Sequence, residues 1–210
     1  MKQILKIRDV TLRDGQQSQF ATRMNASQVE QLLPLYKEAN FYALEVWGGA
    51  VPDSIMRYLG ENPWQRLEMI RDGVQKKSKL TALSRGRNLF GYTPYPDTVI
   101  EGFIKHAIES GIDIMRIFDA LNDPRNLMKA IEAVKKGGGH AQAAMSYTIS
   151  PVHTNEVFAN LAKDFSDMGA DSICIKDMAG LLDPYNTYAL VKEIKKKVSL
   201  PLEIHTHATS

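Results

Sequence analysis

The sequence predicts an α/β protein, a (β/α)8 barrel of the TIM type that is truncated after its seventh strand. Three observations lead there. Strand-like apolar runs alternate with helical patterns along the whole chain. The strand onsets, near residues 7, 43, 80, 114, 141, 172 and 202, recur at intervals of about 27 to 37 residues, the size of one βα unit, and that spacing implies parallel strands joined by crossover helices. An open doubly wound sheet would carry Gly-x-Gly-x-x-Gly after its first strand. None is present, and polar residues gather at the C-terminal ends of many strands, where a barrel builds its site.

In order, residues 7–11, 43–47, 80–84, 114–118, 141–147, 172–175 and 202–206 read as strands. Helical periodicity covers 26–39, 53–74, 98–110, 125–136, 155–168 and 184–198. Asn25 or Ser27 can start the first helix and Asp97 the third, while Gly111, Gly137 and Gly169 can end later ones. Gly137-Gly138-Gly139 is a short helix-to-strand connection, and Lys195-Lys196-Lys197 a solvated helix end. No linker divides the chain, so residues 1–210 are expected to form one barrel domain, incomplete at its C-terminus. The last helix of the seventh unit and the eighth unit would be missing. The first and seventh strands would then be open edges, and the domain alone is expected to bind metal weakly and to be inactive.

Composition narrows the function. A 44% apolar content supplies a core, and a net charge of +2 with no basic cluster interleaved with exposed aromatics excludes nucleic acid as the expected partner. The single cysteine, Cys174, reads as a small core residue in a reducing compartment. No signal-like or membrane-spanning run is present, so a cytoplasmic protein is expected, membrane-associated only through partner subunits.

The strand ends carry Arg13 and Asp14, Glu45 and Trp47, Arg85, Arg116 and Asp119, Tyr147, Lys176 and Asp177, and His205 and His207. Strand alternation sends Ile173 and Ile175 to one face and Cys174 and Lys176 to the other, so Lys176 points inward. His205 and His207, two residues apart on a strand, form an imidazole clamp. Asp14 would add an oxygen, provided the chain turns at Arg13. As an ammonium Lys176 cannot ligate a cation, but as a neutral, CO2-carbamylated amine it can, and burial favours the neutral form. Bland readings stand beside these: a salt bridge from Lys176 to Asp177 or Asp119, a turn role for Asp14, and satisfied polar histidines.

Several motifs occur in order from about residue 5 to the last residue. They are Thr11-Leu-Arg-Asp-Gly-Gln-Gln-Ser18 with Ala21-Thr-Arg23, Glu45-Val-Trp-Gly-Gly-Ala50, Asn62-Pro-Trp-Gln-Arg-Leu67, and Ser84-Arg-Gly-Arg-Asn88 with Gly91-Tyr92. They continue with Arg116-Ile-Phe-Asp-Ala-Leu-Asn122, Ser146-Tyr-Thr-Ile-Ser-Pro-Val-His153, Ile175-Lys-Asp-Met-Ala-Gly180 and His205-Thr-His-Ala-Thr209. Together they resemble the biotin-dependent carboxyltransferase family: the oxaloacetate decarboxylase α-subunit, the carboxyltransferase part of pyruvate carboxylase and the transcarboxylase 5S subunit.

The resemblance implies that Asp14, carbamylated Lys176, His205 and His207 hold a divalent metal, most often zinc, with manganese or cobalt as alternatives. It implies that Arg13, Gln17 and Arg85 orient an α-keto acid, oxaloacetate or pyruvate, and that Tyr92 stands near the site. Biotin would arrive on a separate carrier domain or subunit, beside other subunits of a carboxylase or decarboxylase complex, and the full-length protein is expected to be a homo-oligomer. Gly15-Gln16 and Ser84 depart from the family's usual Ala-His and Leu, and Glu203 is an unusual residue for a barrel interior. The family's biotin-side threonine and a Met-Lys-Met biotinylation motif do not occur here.

Met1 stands a few residues before the first strand, so no biotin carboxylase domain is expected ahead of it. The separate-subunit types therefore come first, the oxaloacetate decarboxylase α-subunit leading, with the B subunit of a two-subunit pyruvate carboxylase and the transcarboxylase 5S subunit as alternatives. Condensing and lyase barrels share the Arg-Asp and His-x-His elements without Lys-Asp-Met-Ala-Gly. An inactive barrel serving as an assembly subunit is the non-enzymatic alternative.

Overall fold

The computed structural model describes residues 4–208. Its seven strands are β1 Arg8–Asp9, β2 Ala43–Gly48, β3 Lys79–Ser84, β4 Ile114–Asp119, β5 His140–Ser146, β6 Ser172–Asp177 and β7 Leu202–Thr206. They pair in chain order, each parallel to the next. The crossover helices are α1 Ala26–Glu38, α2 Pro63–Val74, α3 Asp97–Glu109, α4 Arg125–Lys136, α5 Asn155–Asp167 and α6 Pro184–Lys197.

Strand alternation sorts the chemistry. Leu44, Val46, Ala82, Met115, Ile117, Ala143, Met145, Ile173 and Ile175 join the helices' Leu67, Ile100, Ile104, Leu127, Phe158, Phe165 and Ile194 in one apolar core on the convex face. Burying each large side chain there stabilises the fold by about 1.5–3 kcal/mol. The concave face is polar, with Glu45, Thr81, Arg116, Gln142, Lys176 and His205 all buried. The sheet curls into an open barrel. β1 and β7 are not hydrogen-bonded partners among the described residues, yet their side chains meet across the interior.

Two elements differ from the sequence reading. The first strand ends at Asp9, because residues Thr11–Gly15 wind into a π-helical turn in which the Val10 carbonyl accepts from the N–H groups of Arg13, Asp14 and Gly15. The segment 53–74 is two pieces. A short helix with a π-helical turn stops at Gly60, left-handed at φ 62°, and α2 starts afresh with Asn62 as its cap and Pro63 at its first position. Asn25 is the α1 cap, in a reciprocal pair with Gln28. Asp97 lies inside the first turn of α3, after Pro96, and does not cap it. Trp47 is also turned away from the interior. The register shifts between Glu45 and Trp47, and the indole stacks on Phe103 and packs against Trp64 while Nε1 donates to the Pro63 carbonyl.

Candidate metal centre at the C-terminal mouth of the sheet

The π-helical turn after β1 aims Asp14 across the mouth toward β7. Asp14 Oδ2 lies 3.1 Å from His205 Nε2 and 3.0 Å from His207 Nε2. One potential ligand atom from each of the three residues falls within 4.8 Å of the others. The carboxyl of Asp14 is pushed upward by burial, but the adjacent His205 ring and the charges of Arg13 and Lys176 hold it well below the usual range.

The residues suit a divalent cation. Two imidazoles and one ionised carboxylate are a donor set for zinc and its first-row neighbours. His205 Nε2 is buried and, despite its nearness to Asp14, makes no hydrogen bond, as an atom aimed at a cation would. Burial holds the His205 ring below its ordinary pKa, toward the neutral form that ligates. Its other nitrogen, Nδ1, lies 3.3 Å from Arg116 Nη1. A guanidinium only donates, so that contact uses the Nδ1 lone pair, and ligation through Nε2 takes the opposite tautomer with Arg116 displaced from the ring.

Lys176 is 2% exposed, with Nζ 5.9 Å from the Phe118 ring centroid. Burial, then Arg13 and Arg116, depresses its pKa. Neither proposed salt-bridge partner engages it. Asp177 accepts from the Leu181 and Leu182 N–H groups and from Thr206 Oγ1, and Asp119 from Leu121, Asp123 and Asn126. A cavity of about 250 Å3 opens over this region, and Arg13, Asp14, Gln17, Arg85, Lys176 and His207 line it. A larger cleft of about 340 Å3 elsewhere, lined by Arg71, Leu80 and Asp113, gathers none of these groups.

Arg13 is buried. Its Nε donates to Glu45 Oε1 at 2.5 Å and its Nη1 to Asp14 at 3.1 Å. Gln17 Oε1 accepts from the Ala50 N–H at 3.3 Å. Arg85 Nη1 donates to the Phe90 and Gly91 carbonyls, and Tyr92, 78% exposed, stands with its ring 5.4 Å from the Arg85 guanidinium. Tyr147 sits apart, against Phe158.

Beneath the mouth runs a ladder that the sequence did not disclose. Glu45 Oε2 accepts from Arg116 Nη1 at 2.8 Å, Arg116 Nε donates to Gln142 Oε1 at 2.7 Å, and Glu203 accepts from Arg116, Gln142 and Arg8. Glu45 and Glu203 are each pushed up by burial, yet their arginine partners hold both at about 2. Glu203 thus has its account: it neutralises two interior guanidiniums.

No family model matches the chain. The B subunit of Methanocaldococcus jannaschii pyruvate carboxylase is 52% identical over 207 residues, 99% of this chain and 36% of that protein. The methylmalonyl-CoA carboxyltransferase 5S subunit of Propionibacterium freudenreichii is 45% identical over 97% of this chain and 40% of its own length. The carboxyl transferase domain of Rhizobium etli pyruvate carboxylase, solved with pyruvate, superposes with a TM-score of 0.94 at 38% identity, covering 98% of this chain and 36% of that one. The chain belongs to the biotin-dependent carboxyltransferase family. It spans between a third and two fifths of the length of these carboxyltransferase relatives. Among the described residues, no helix of the chain is long and apolar enough to cross a membrane.

Proposed function

We propose that this chain forms the metal- and keto-acid-binding part of a carboxyltransferase of the pyruvate carboxylase B-subunit type, within a barrel domain that includes residues 1–210. The relatives favour that type over the oxaloacetate decarboxylase α-subunit, which led on the motifs alone. The observation that carries the reading is the meeting of Asp14, His205 and His207 beside a cavity that also receives Lys176, Arg13, Gln17 and Arg85.

Asp14, His205 and His207, with Lys176 as its carbamate, would hold zinc, or manganese or cobalt, and a bound divalent ion supplies Lewis-acid stabilisation of developing oxygen charge. The chain's own groups do the rest. Arg85 and Arg13 present guanidiniums that match a keto-acid carboxylate. Gln17, fixed by the Ala50 N–H, offers its amide to the same cavity. When the carboxyl group leaves oxaloacetate for the ring nitrogen of biotin, the C–C bonding pair stays on the pyruvate fragment as an enolate, whose charge the cationic donors around the cavity favour, and the proton displaced from that nitrogen ends on the enolate carbon to give pyruvate. In the carboxylation direction the same pair attacks the carboxyl carbon. Biotin would come on a separate carrier domain or protein, with further carboxylase subunits, in a homo-oligomeric assembly.

Metal analysis of the full-length protein, with oxaloacetate-dependent pyruvate release in the presence of free biotin or carrier, tests the reading. About one metal per chain and biotin-stimulated release are expected. A metal-free protein with no such release would reject it.

A further inference from the structure

The turn after β3 is built against the preference of its own backbone. Leu89 stands at φ 52° and ψ −107°, a conformation that a residue with a side chain adopts only under constraint. The constraint comes from two sides. The Leu89 side chain is buried to 1% exposure within the apolar core. Its backbone is tied at both ends: the carbonyl accepts the Arg85 N–H at 2.7 Å, and the N–H reaches the Gly86 carbonyl at 3.2 Å. Gly86 is left-handed too, and a Cβ there would fall 2.5 Å from the Asn126 carbonyl oxygen of α4, so the turn has nowhere to relax on that side.

The consequence falls on Arg85. With Leu89 held so, the carbonyls of Phe90 and Gly91 both accept from Arg85 Nη1, at 3.2 Å each. One end of the guanidinium is thereby fixed to the turn. Nη2 and Nε make no hydrogen bond among the described residues, on a side chain that lines the cavity.

We infer that Leu89 is a positioning residue for Arg85: its buried side chain holds a strained turn whose carbonyls aim the guanidinium at the cavity. The inference rests on the proposed role of Arg85 in binding the α-keto acid. Leu89 touches no substrate; it acts through Arg85 alone.

A double-mutant cycle in the full-length protein separates this from ordinary core packing. Leu89→Ala should lower kcat/KM for the keto acid about tenfold, and Arg85→Ala about a hundredfold. In the Arg85→Ala background, Leu89→Ala should cost no more than about a further twofold, because the group it positions is gone. Metal content should be unchanged throughout, and Leu89→Met, which keeps the buried volume, should restore kcat/KM to within about threefold of the parent. Should Leu89→Ala not fold, Leu89→Cys, which shortens the buried side chain by less, carries the same comparison. Additive losses, or an unchanged kcat/KM for Leu89→Ala beside a defective Arg85→Ala, would overturn the inference while leaving the functional reading standing. An unimpaired Arg85→Ala would bring down both.

Discussion

Arg8 and Glu203, 195 positions apart, form a two-pronged ion pair across the interior, Nε to Oε1 at 2.8 Å and Nη2 to Oε2 at 2.7 Å. They stand on the two end strands of the sheet, which make no backbone pairing with each other among the described residues. Glu203 also serves Arg116, whose side chain is fully buried, so its removal leaves Arg8 without a carboxylate partner and takes one of the two from Arg116, where removal of Arg8 orphans no guanidinium. Glu203→Ala is therefore expected to cost about 3 kcal/mol or more, and Arg8→Ala only about 1–2 kcal/mol, since Glu203 keeps Arg116 and Gln142. Urea unfolding of the two variants checks the order. Equal losses would show that the ladder is not what couples the end strands.

Acid should dismantle the same ladder. Glu45 and Glu203 titrate at about 2 in the folded protein against an ordinary 4.5, so the unfolded chain takes up protons first as pH falls. Their contribution is complete above about 4.5 and is lost between there and about 2. His205, held below its ordinary 6.5 by burial, adds an earlier loss below about 6.5, because it is the unfolded chain that binds the proton more readily. The urea midpoint should decline first below about 6.5 and more steeply below about 4.5, and Glu203→Met should flatten the second limb. A midpoint constant down to pH 3 in the parent protein would contradict this.

Much of this was open to reading in the sequence because it is periodic. The βα spacing yields the strand order, and the two-residue period places Lys176, His205 and His207 inside and Ile173 and Ile175 outside. What escaped depended on partners distant in the chain or on local geometry that breaks a period. Glu203 makes sense only once β1 and β7 are known to face each other, since its partner Arg8 is at the far end of the chain. Trp47 escapes the alternation because a register shift after Glu45 breaks it. The break at Gly60 and Asn62 had its signals in Gly and Asn-Pro, but apolar periodicity on both sides masked them. The Lys176 salt bridge was the sensible default until Asp119 and Asp177 proved to be engaged by their own loops.

Lys176→Ala is expected to lose metal and activity together, because it would remove the proposed carbamate oxygen from the ligand set. Lys176→Arg should do the same, since a guanidinium stays protonated and cannot take up CO2. Metal content by mass spectrometry, read beside turnover, decides. A stoichiometric metal with near-parental turnover in Lys176→Ala would sink the carbamate assignment and leave Lys176 a buried, depressed-pKa amine with some other task.

Two adjacent glycines should fail in different ways. Gly48 and Gly49 are both left-handed, at φ 82° and 56°. A Cβ on Gly48 would collide with the Leu83 carbonyl oxygen and lie 2.6 Å from the Leu83 nitrogen, inside the backbone of the neighbouring strand, where nothing can yield. Gly48→Ala is thus expected not to fold, or to melt far below the parent. On Gly49 the nearest atoms are side-chain ends, Gln17 Oε1 at 3.0 Å and Arg13 Cδ at 3.2 Å, and both belong to residues that line the cavity. These can move, at the expense of the aim of Arg13 and Gln17. The backbone strain of alanine at positive φ should cost about 1 kcal/mol. The larger effect should be on substrate, a rise in KM of about tenfold or more with metal content held, because a displacement near 1 Å in a positioning group is enough for that. Steady-state kinetics on Gly49→Ala beside a melting curve would check it. An unchanged KM would mean that Arg13 and Gln17 do not need the space Gly49 leaves them.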